Sequence, residues 1–200
     1  ELLFIMLRPQ DERTLVIIKP DGVQRSLIGE IVKRYERTGL KLIALKLITP
    51  TPDHAHTHYY RVGGEEWLES VGKKARAAYE KRGMKSPFAT NRENGMAVLE
   101  RNAKYLSSGP VVAMIWQGNM AVELVRKITG TTEPLTSDVG TIRGDFTLDS
   151  YSLADTDERS VRNLIHASGS TAEAEKEIPI WFKIEEIVKY NHVQERILYD

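Results

Sequence analysis

Two apolar runs, each followed by a segment of helical period, restrict this 200-residue chain to few arrangements. The first, RTLVIIKPDG, is rich in β-branched residues from Thr14 to Ile18 and stops at Pro20-Asp21-Gly22, where proline fixes φ and glycine relaxes it. It reads as a buried strand that ends beside Lys19 in a turn. Beyond it Ile28, Ile31, Val32 and Tyr35 fall at i, i+3, i+4 and i+7, with Ser26 as N-cap and Gly39 where a left-handed C-cap is wanted. LKLIALKLI then sets Ile43, Leu45 and Leu47 on one face of a second strand. The second run, Val111 to Trp116, reads as a central strand, and Ala121, Leu124, Val125 and Ile128 follow at helical spacing before Gly130. Leu164 and Ile165 supply a short last strand, and Ser170 with Glu173 makes a capping box for a last helix. The order predicts an α/β (α+β) chain, a ferredoxin-like split β-α-β sandwich with a four-stranded antiparallel sheet.

Pro50 to Ser108 has a helical pattern in which Leu68, Val71, Ala75, Ala78 and Tyr79 share a face. It reads as a helical insertion over about 61–104. A second insertion, about 147–161, separates Phe146 from Arg162 and brings several carboxylates. No repeat or linker interrupts the chain, so 1–200 reads as a single domain with 1–12 as an N-terminal extension. Its opening, ELLFIML, is far shorter than the ~20 residues that span a bilayer, which argues against a membrane partner.

Charge narrows the ligands. Lys+Arg at 28 balance Asp+Glu at 28, so no global field favours nucleic acid or an anionic membrane, and an anionic ligand must be met by locally clustered cations. The absence of cysteine excludes disulfides and thiolate metal sites and fits a reducing, cytoplasmic location. Neither G-x-x-x-x-G-K-[ST] nor a G-x-G-x-x-G after a strand is present. In HAHTH, His54, His56 and His58 alternate; the reading taken is a polar helix surface, with metal binding as the alternative.

The segment TTEPLTSDVGTIRGDF is long for a connector and favours a functional loop. His166, at the end of a short apolar run, reads by itself as a histidine closing an edge strand with one nitrogen bonded to backbone. Elsewhere Lys19 lies at a strand end, Arg126 and Thr132 flank the helix end at Gly130, and Arg143 lies in a Gly-rich loop. A split β-α-β sheet can bring such chain-distant cations to one edge, around whatever His166 faces.

Four blocks, RTLVIIKPDGVQRSLIGEI, SGPVVAMIW, GTIRGDF and RNLIHASGS, resemble in order those of the nucleoside diphosphate kinases, over most of residues 13 to 190. The resemblance implies a ferredoxin-like fold and ping-pong transfer of the γ-phosphate of a nucleoside triphosphate to a nucleoside diphosphate through a phosphohistidine. It also implies broad base tolerance and a role in maintaining nucleoside triphosphate pools. Carried over residue by residue, it makes His166 the nucleophile, Glu177 its carboxylate partner and Tyr59 the residue packed behind it. Lys19 and Asn163 then bind the sugar hydroxyls and, for lysine, a phosphate oxygen; Arg126, Thr132 and Arg143 form the phosphate clamp. Mg²⁺ is implied as cofactor, held mainly by nucleotide phosphates with no protein metal ligand. A homo-oligomer, hexamer or tetramer, is implied as well, with the Pro134 loop between subunits.

The chemistry agrees with these roles. An imidazole of ordinary pKa, ~6.5, is a competent nucleophile at neutral pH, and its bond to phosphorus is reactive enough to pass the group on. The sequence departs from the family pattern in two longer segments, the helical one after Tyr59 and TLDSYSLADTDERSV before Arg162, and in further details. Gly169 stands where an acidic residue is more usual, Pro179 should end or kink the helix soon after Glu177, and the base-stacking aromatic is unassigned, with Trp67 and Phe88 as candidates.

Overall fold

A computed structural model describes residues 8–199; the apolar opening expected as an extension lies outside them through residue 7. The chain runs β1 (Arg13–Ile18), α1 (Pro20–Gln24), α2 (Ile28–Glu36), β2 (Lys41–Ile48), α3 (Pro52–Lys81), α4 (Asn91–Leu106), β3 (Val111–Gln117) and α5 (Ala121–Thr129). It continues through α6 (Ile142–Phe146), α7 (Tyr151–Thr156), β4 (Ile165–Ala167), α8 (Thr171–Trp181) and α9 (Val193–Tyr199). The strands make one antiparallel sheet in the order β2-β3-β1-β4, the ferredoxin-like arrangement.

Both central strands are apolar on both faces because both faces are covered. Val16, Ile18, Val112, Met114 and Trp116 pack under Ile31 and Tyr35 of α2 and Val125 of α5. Leu15, Ile17, Ala113 and Ile115 pack under Ala55 of α3, Leu106 of α4 and Ile178 of α8. Each fully buried leucine or isoleucine stabilises by about 1.5–3 kcal/mol, so these strands anchor the loops at their ends. The helices α3 and α4 touch backbone to backbone: a Cβ on Gly72 or Gly95 would overlap the carbonyl of Asn91 or Leu68.

Several local expectations are corrected. The β2 ladder skips from Leu42 to Ala44, so Ile43 is an inserted residue and the face alternation slips by one. Ile43 is therefore buried while Leu45 and Leu47 are 51% and 60% exposed on the edge strand. Pro20 to Gly22 begins the short helix α1, with proline at a first position where its missing N–H is no loss. Ser26 is left-handed (φ 58) and caps nothing; α2 follows Leu27. Pro179 lies inside α8, which continues to Trp181. The Ser170 hydroxyl accepts from the Glu173 N–H at 3.1 Å, while the Glu173 carboxylate reaches Gly169 N–H at 2.9 Å. The last strand begins at Ile165, because Leu164 is left-handed at φ 66.

Candidate active site

Pairing of β1 with β4 sets Ile17 opposite His166, and Lys19 follows at the strand end. The turn before β4 is tight: Ile165 N–H donates to Asn163 O at 2.7 Å across the left-handed Leu164. A branched aliphatic side chain at positive φ is strained, and the strain is held here by a fully buried leucine. The turn brings Asn163 to Lys19, whose Nζ donates to Asn163 Oδ1 at 2.7 Å; Asn163 Nδ2 donates in turn to Thr132 O at 3.0 Å.

Lys19 is 7% exposed. Burial, and then the Arg143 guanidinium, bring its pKa down to about 7, while Asp21 pulls it upward. Its ammonium also lies 4.8 Å from the centre of the Tyr105 ring, with the Arg162 guanidinium 4.2 Å from that ring. The Tyr105 hydroxyl donates to Asp21 Oδ1 at 2.5 Å, so one aromatic residue ties this carboxylate to two cations.

Arg143 is buried and spends its fork on backbone. It donates to Asn163 O at 3.2 Å, Gly130 O at 3.0 Å, Thr131 O at 2.9 Å and Ile165 O at 2.7 Å. The guanidinium thus clips the loop after α5 to the turn before His166, and burial lowers its pKa to about 10.

His166 is partly exposed, 18% of its side chain, whereas Glu177 of α8 is 1% exposed as a residue. His166 Nε2 lies 2.9 Å from Glu177 Oε1, off the line of a well-directed hydrogen bond. Glu177 Oε2 accepts from Ser168 Oγ at 2.6 Å, and Ser168 Oγ accepts from Leu15 N–H at 3.1 Å. The carboxylate is therefore fixed to the central sheet.

The HAHTH expectation fails at its third histidine. His58 is 1% exposed, and its ring stands at 88° to that of His166 with centroids 4.6 Å apart. Its Nδ1 accepts from Trp181 Nε1 at 3.2 Å, and burial, then neighbouring His166, hold its pKa well below the ordinary imidazole value. Helical spacing could have found it: His58 lies three residues after the buried Ala55, on the core-facing stripe. Tyr59 is half-buried beside it, and burial followed by Glu177 pushes its phenol upward.

Lys19, Tyr59, Arg126, Thr132, Arg143, Asn163 and His166 line one cavity of about 970 Å³, with Glu177 behind the histidine. Arg126 and Thr132 are exposed at its rim. Trp67 of α3 also lines the cavity and Phe88 does not; Tyr151 of α7, which sequence reasoning missed, joins it. The segment that brings Tyr151 is pinned by Asp149, which accepts from Arg159 at 2.6 and 3.0 Å and from Arg162 N–H at 2.6 Å.

Among the described residues, one group of histidines and carboxylates has metal-ligand spacing: His58, His166 and Glu177, with ligand atoms within 4.8 Å of one another. It does not suit Mg²⁺, a hard ion that takes oxygen ligands. It does not suit zinc either. The Trp181 donor occupies Nδ1 of His58, which puts the neutral ring's proton on Nε2 and leaves no free lone pair.

Known proteins resemble this chain in sequence and in fold. The family model described as nucleoside diphosphate kinase matches residues 12–77 and 74–187. The chain is 44% identical over 182 residues to a nucleoside diphosphate kinase of Pyrobaculum aerophilum, covering 89% of this chain and 98% of that one. It is 40% identical to nucleoside diphosphate kinase A of Canis lupus familiaris, covering 94% and 97% of the two chains. A crystal structure of the Pyrobaculum aerophilum NDP kinase superposes with a TM-score of 0.85 at 43% identity, over 89% of this chain and 99% of that one. A Borrelia burgdorferi nucleoside-diphosphate kinase, solved as a transition-state mimic with vanadate and ADP, superposes at 0.73 and 36% identity, over 92% and 94%. No described helix is long and apolar enough to cross a membrane. By matched sequence and by fold, this chain belongs to the nucleoside diphosphate kinase family, a family of enzymes.

Proposed function

We propose that this enzyme moves the γ-phosphate of a nucleoside triphosphate to a nucleoside diphosphate through phosphorylated His166. The observation that carries this reading is a partly exposed imidazole whose Nε2 is buried against Glu177 and which lines a cavity shared with Lys19, Arg126 and Arg143. With Nε2 buried, Nδ1 is the nitrogen left to face the cavity. Its lone pair attacks the γ-phosphorus as the bond to the bridging oxygen breaks, and the nucleoside diphosphate departs with that electron pair. The ring proton stays on Nε2, where Glu177 stabilises the charge left on the ring. A second nucleoside diphosphate reverses the step.

Phosphoryl transfer of this kind needs alignment and charge dispersal rather than a strong base. Lys19 and Asn163 serve the sugar hydroxyls, and Lys19 a phosphate oxygen as well. Arg126 has no ion-pair partner among the described residues and meets the phosphates together with Thr132. Arg143 contributes mainly its charge, its donors being engaged with carbonyls. Tyr59 shapes the wall beside the histidine. Mg²⁺ would enter with the nucleotide, held mainly through its phosphates, and would help spread the charge that develops in transfer. Trp67 and Tyr151 provide faces on which any base can rest, which supports broad base tolerance and a role in levelling nucleoside triphosphate pools.

The same reading includes a cytoplasmic location, with which a chain free of cysteine is compatible, and a single domain, supported by the one four-stranded sheet. It also includes a homo-oligomer, hexamer or tetramer. Exposed Leu45 and Leu47 on the edge strand β2, and Leu135 and Val139 in the loop after Pro134, are the support for association. Initial rates measured with ATP and a pyrimidine diphosphate test the core of the proposal. Parallel double-reciprocal lines are expected; intersecting lines would remove the phosphoenzyme.

A further inference from the structure

We propose that His58 is a positioning residue for His166: locked by Trp181 in one tautomer, its ring stands square to the His166 ring and holds Nδ1 toward the cavity. This rests on the reading of His166 as the phosphoryl carrier.

The argument begins with what restrains the His166 ring. Glu177 limits one nitrogen, but the approach to Nε2 is off the hydrogen-bond line, so the carboxylate alone does not fix the ring plane. The perpendicular His58 ring at 4.6 Å supplies a second restraint. His58 is itself held, because its Nδ1 is the acceptor for a Trp181 donor that is 2% exposed and belongs to the same helix as Glu177. Both restraints on His166 therefore come from, or are tied to, α8.

The identity of the ring matters. A phenyl group would give the same packing but leave the buried Trp181 N–H without an acceptor. A cationic side chain would oppose the charge that develops when His166 takes a phosphoryl group. Burial, with His166 and Lys19 in the cavity wall and His54 on its own helix, disfavours the charged form of His58; the Glu177 carboxylate of α8, within 4.8 Å, is engaged by Ser168 and lies against His166. A neutral imidazole with Nδ1 as acceptor meets both requirements.

Three measurements test the proposal. ¹⁵N NMR of the wild-type protein at pH 7 should show His58 neutral, with its proton on Nε2; a proton on Nδ1, or an imidazolium, would overturn the proposed lock. His58→Phe should form phosphoenzyme to the wild-type stoichiometry, but with the rate of phosphorylation lowered about 10- to 100-fold, the effect of a misaligned reacting group, and nucleotide KM within about twofold. His58→Asn, which keeps an acceptor near the Nδ1 position, should recover part of the His58→Phe loss. Equal rates in wild type and both variants, or a change confined to KM, would overturn the assignment. A wild-type protein that forms no phosphoenzyme would defeat the reading of His166, and this inference with it. A variant that phosphorylates at the wild-type rate defeats this inference alone.

Discussion

Lys19 and Asn163, separated by 144 residues in sequence, meet in a 2.7 Å hydrogen bond between an ammonium and an amide oxygen, both residues nearly buried. The bond joins the end of β1 to the turn before His166, so it is at once structural support and part of the candidate site.

Asn163→Leu should therefore have two effects. The buried ammonium loses its acceptor, which costs about 1.5–3 kcal/mol of stability for a hydrogen bond to a charged group. The turn also loses its tie to Thr132 O, so kcat/KM should fall together with stability. Urea denaturation and steady-state kinetics on one preparation check both.

Lys19 gives a pH dependence of definite sign. Its pKa is about 7 in the folded, nucleotide-free protein against 10.5 in the unfolded chain. Below pH 7 the ammonium is charged in both states and its burial penalty is fully present. Between 7 and 10.5 the folded state releases the proton while the unfolded chain keeps it, so this group makes stability rise with pH, by at most about 1.4 kcal/mol per unit. A Lys19→Met variant should lack that slope. For the same reason kcat/KM should decline as pH rises above 7 and the ammonium discharges, and Lys19→Arg should move that limb to higher pH.

Arg126 and Arg143 should separate catalysis from architecture. Arg126 is exposed at the cavity rim, so Arg126→Ala should leave thermal stability within about 0.5 kcal/mol. Its loss of transition-state stabilisation should be about 2.7–4 kcal/mol, the scale for a charge-stabilising donor. Arg143→Ala removes a guanidinium bonded to four carbonyls, from Asn163, Gly130, Thr131 and Ile165, and should lower stability as well as rate. Thermal melts and kcat/KM for the two variants give the comparison.

The sequence was most legible where one physical requirement dominates. The runs in β1 and β3 are apolar without alternation, and such segments are stable only when covered on both faces, so their central place could be read directly. The edge strand was less legible. The slip at Ile43 is set by the hydrogen-bond ladder with β3, and nothing in LKLIALKLI announces it. His58 was misread because alternating histidines after Thr-Pro-Asp look like solvent-facing polarity, although the helical step from Ala55 pointed inward. Pro179 did not stop α8, whose apolar residues Ile178 and Trp181 are buried on either side of it. The Tyr105–Asp21 bond joins residues 84 positions apart, and Tyr151 enters the cavity on α7; both are products of tertiary packing, which local pattern does not encode.

The central claim is that phosphate rides on His166, and intact-mass analysis under non-acidic conditions after brief exposure to ATP and Mg²⁺ tests it most directly. The account predicts one added phosphoryl group per chain, acid-labile and alkali-stable, discharged by a nucleoside diphosphate and absent from His166→Ala. Wild-type protein that binds ATP yet gains no mass, or a His166→Ala variant that gains the same group, would contradict it.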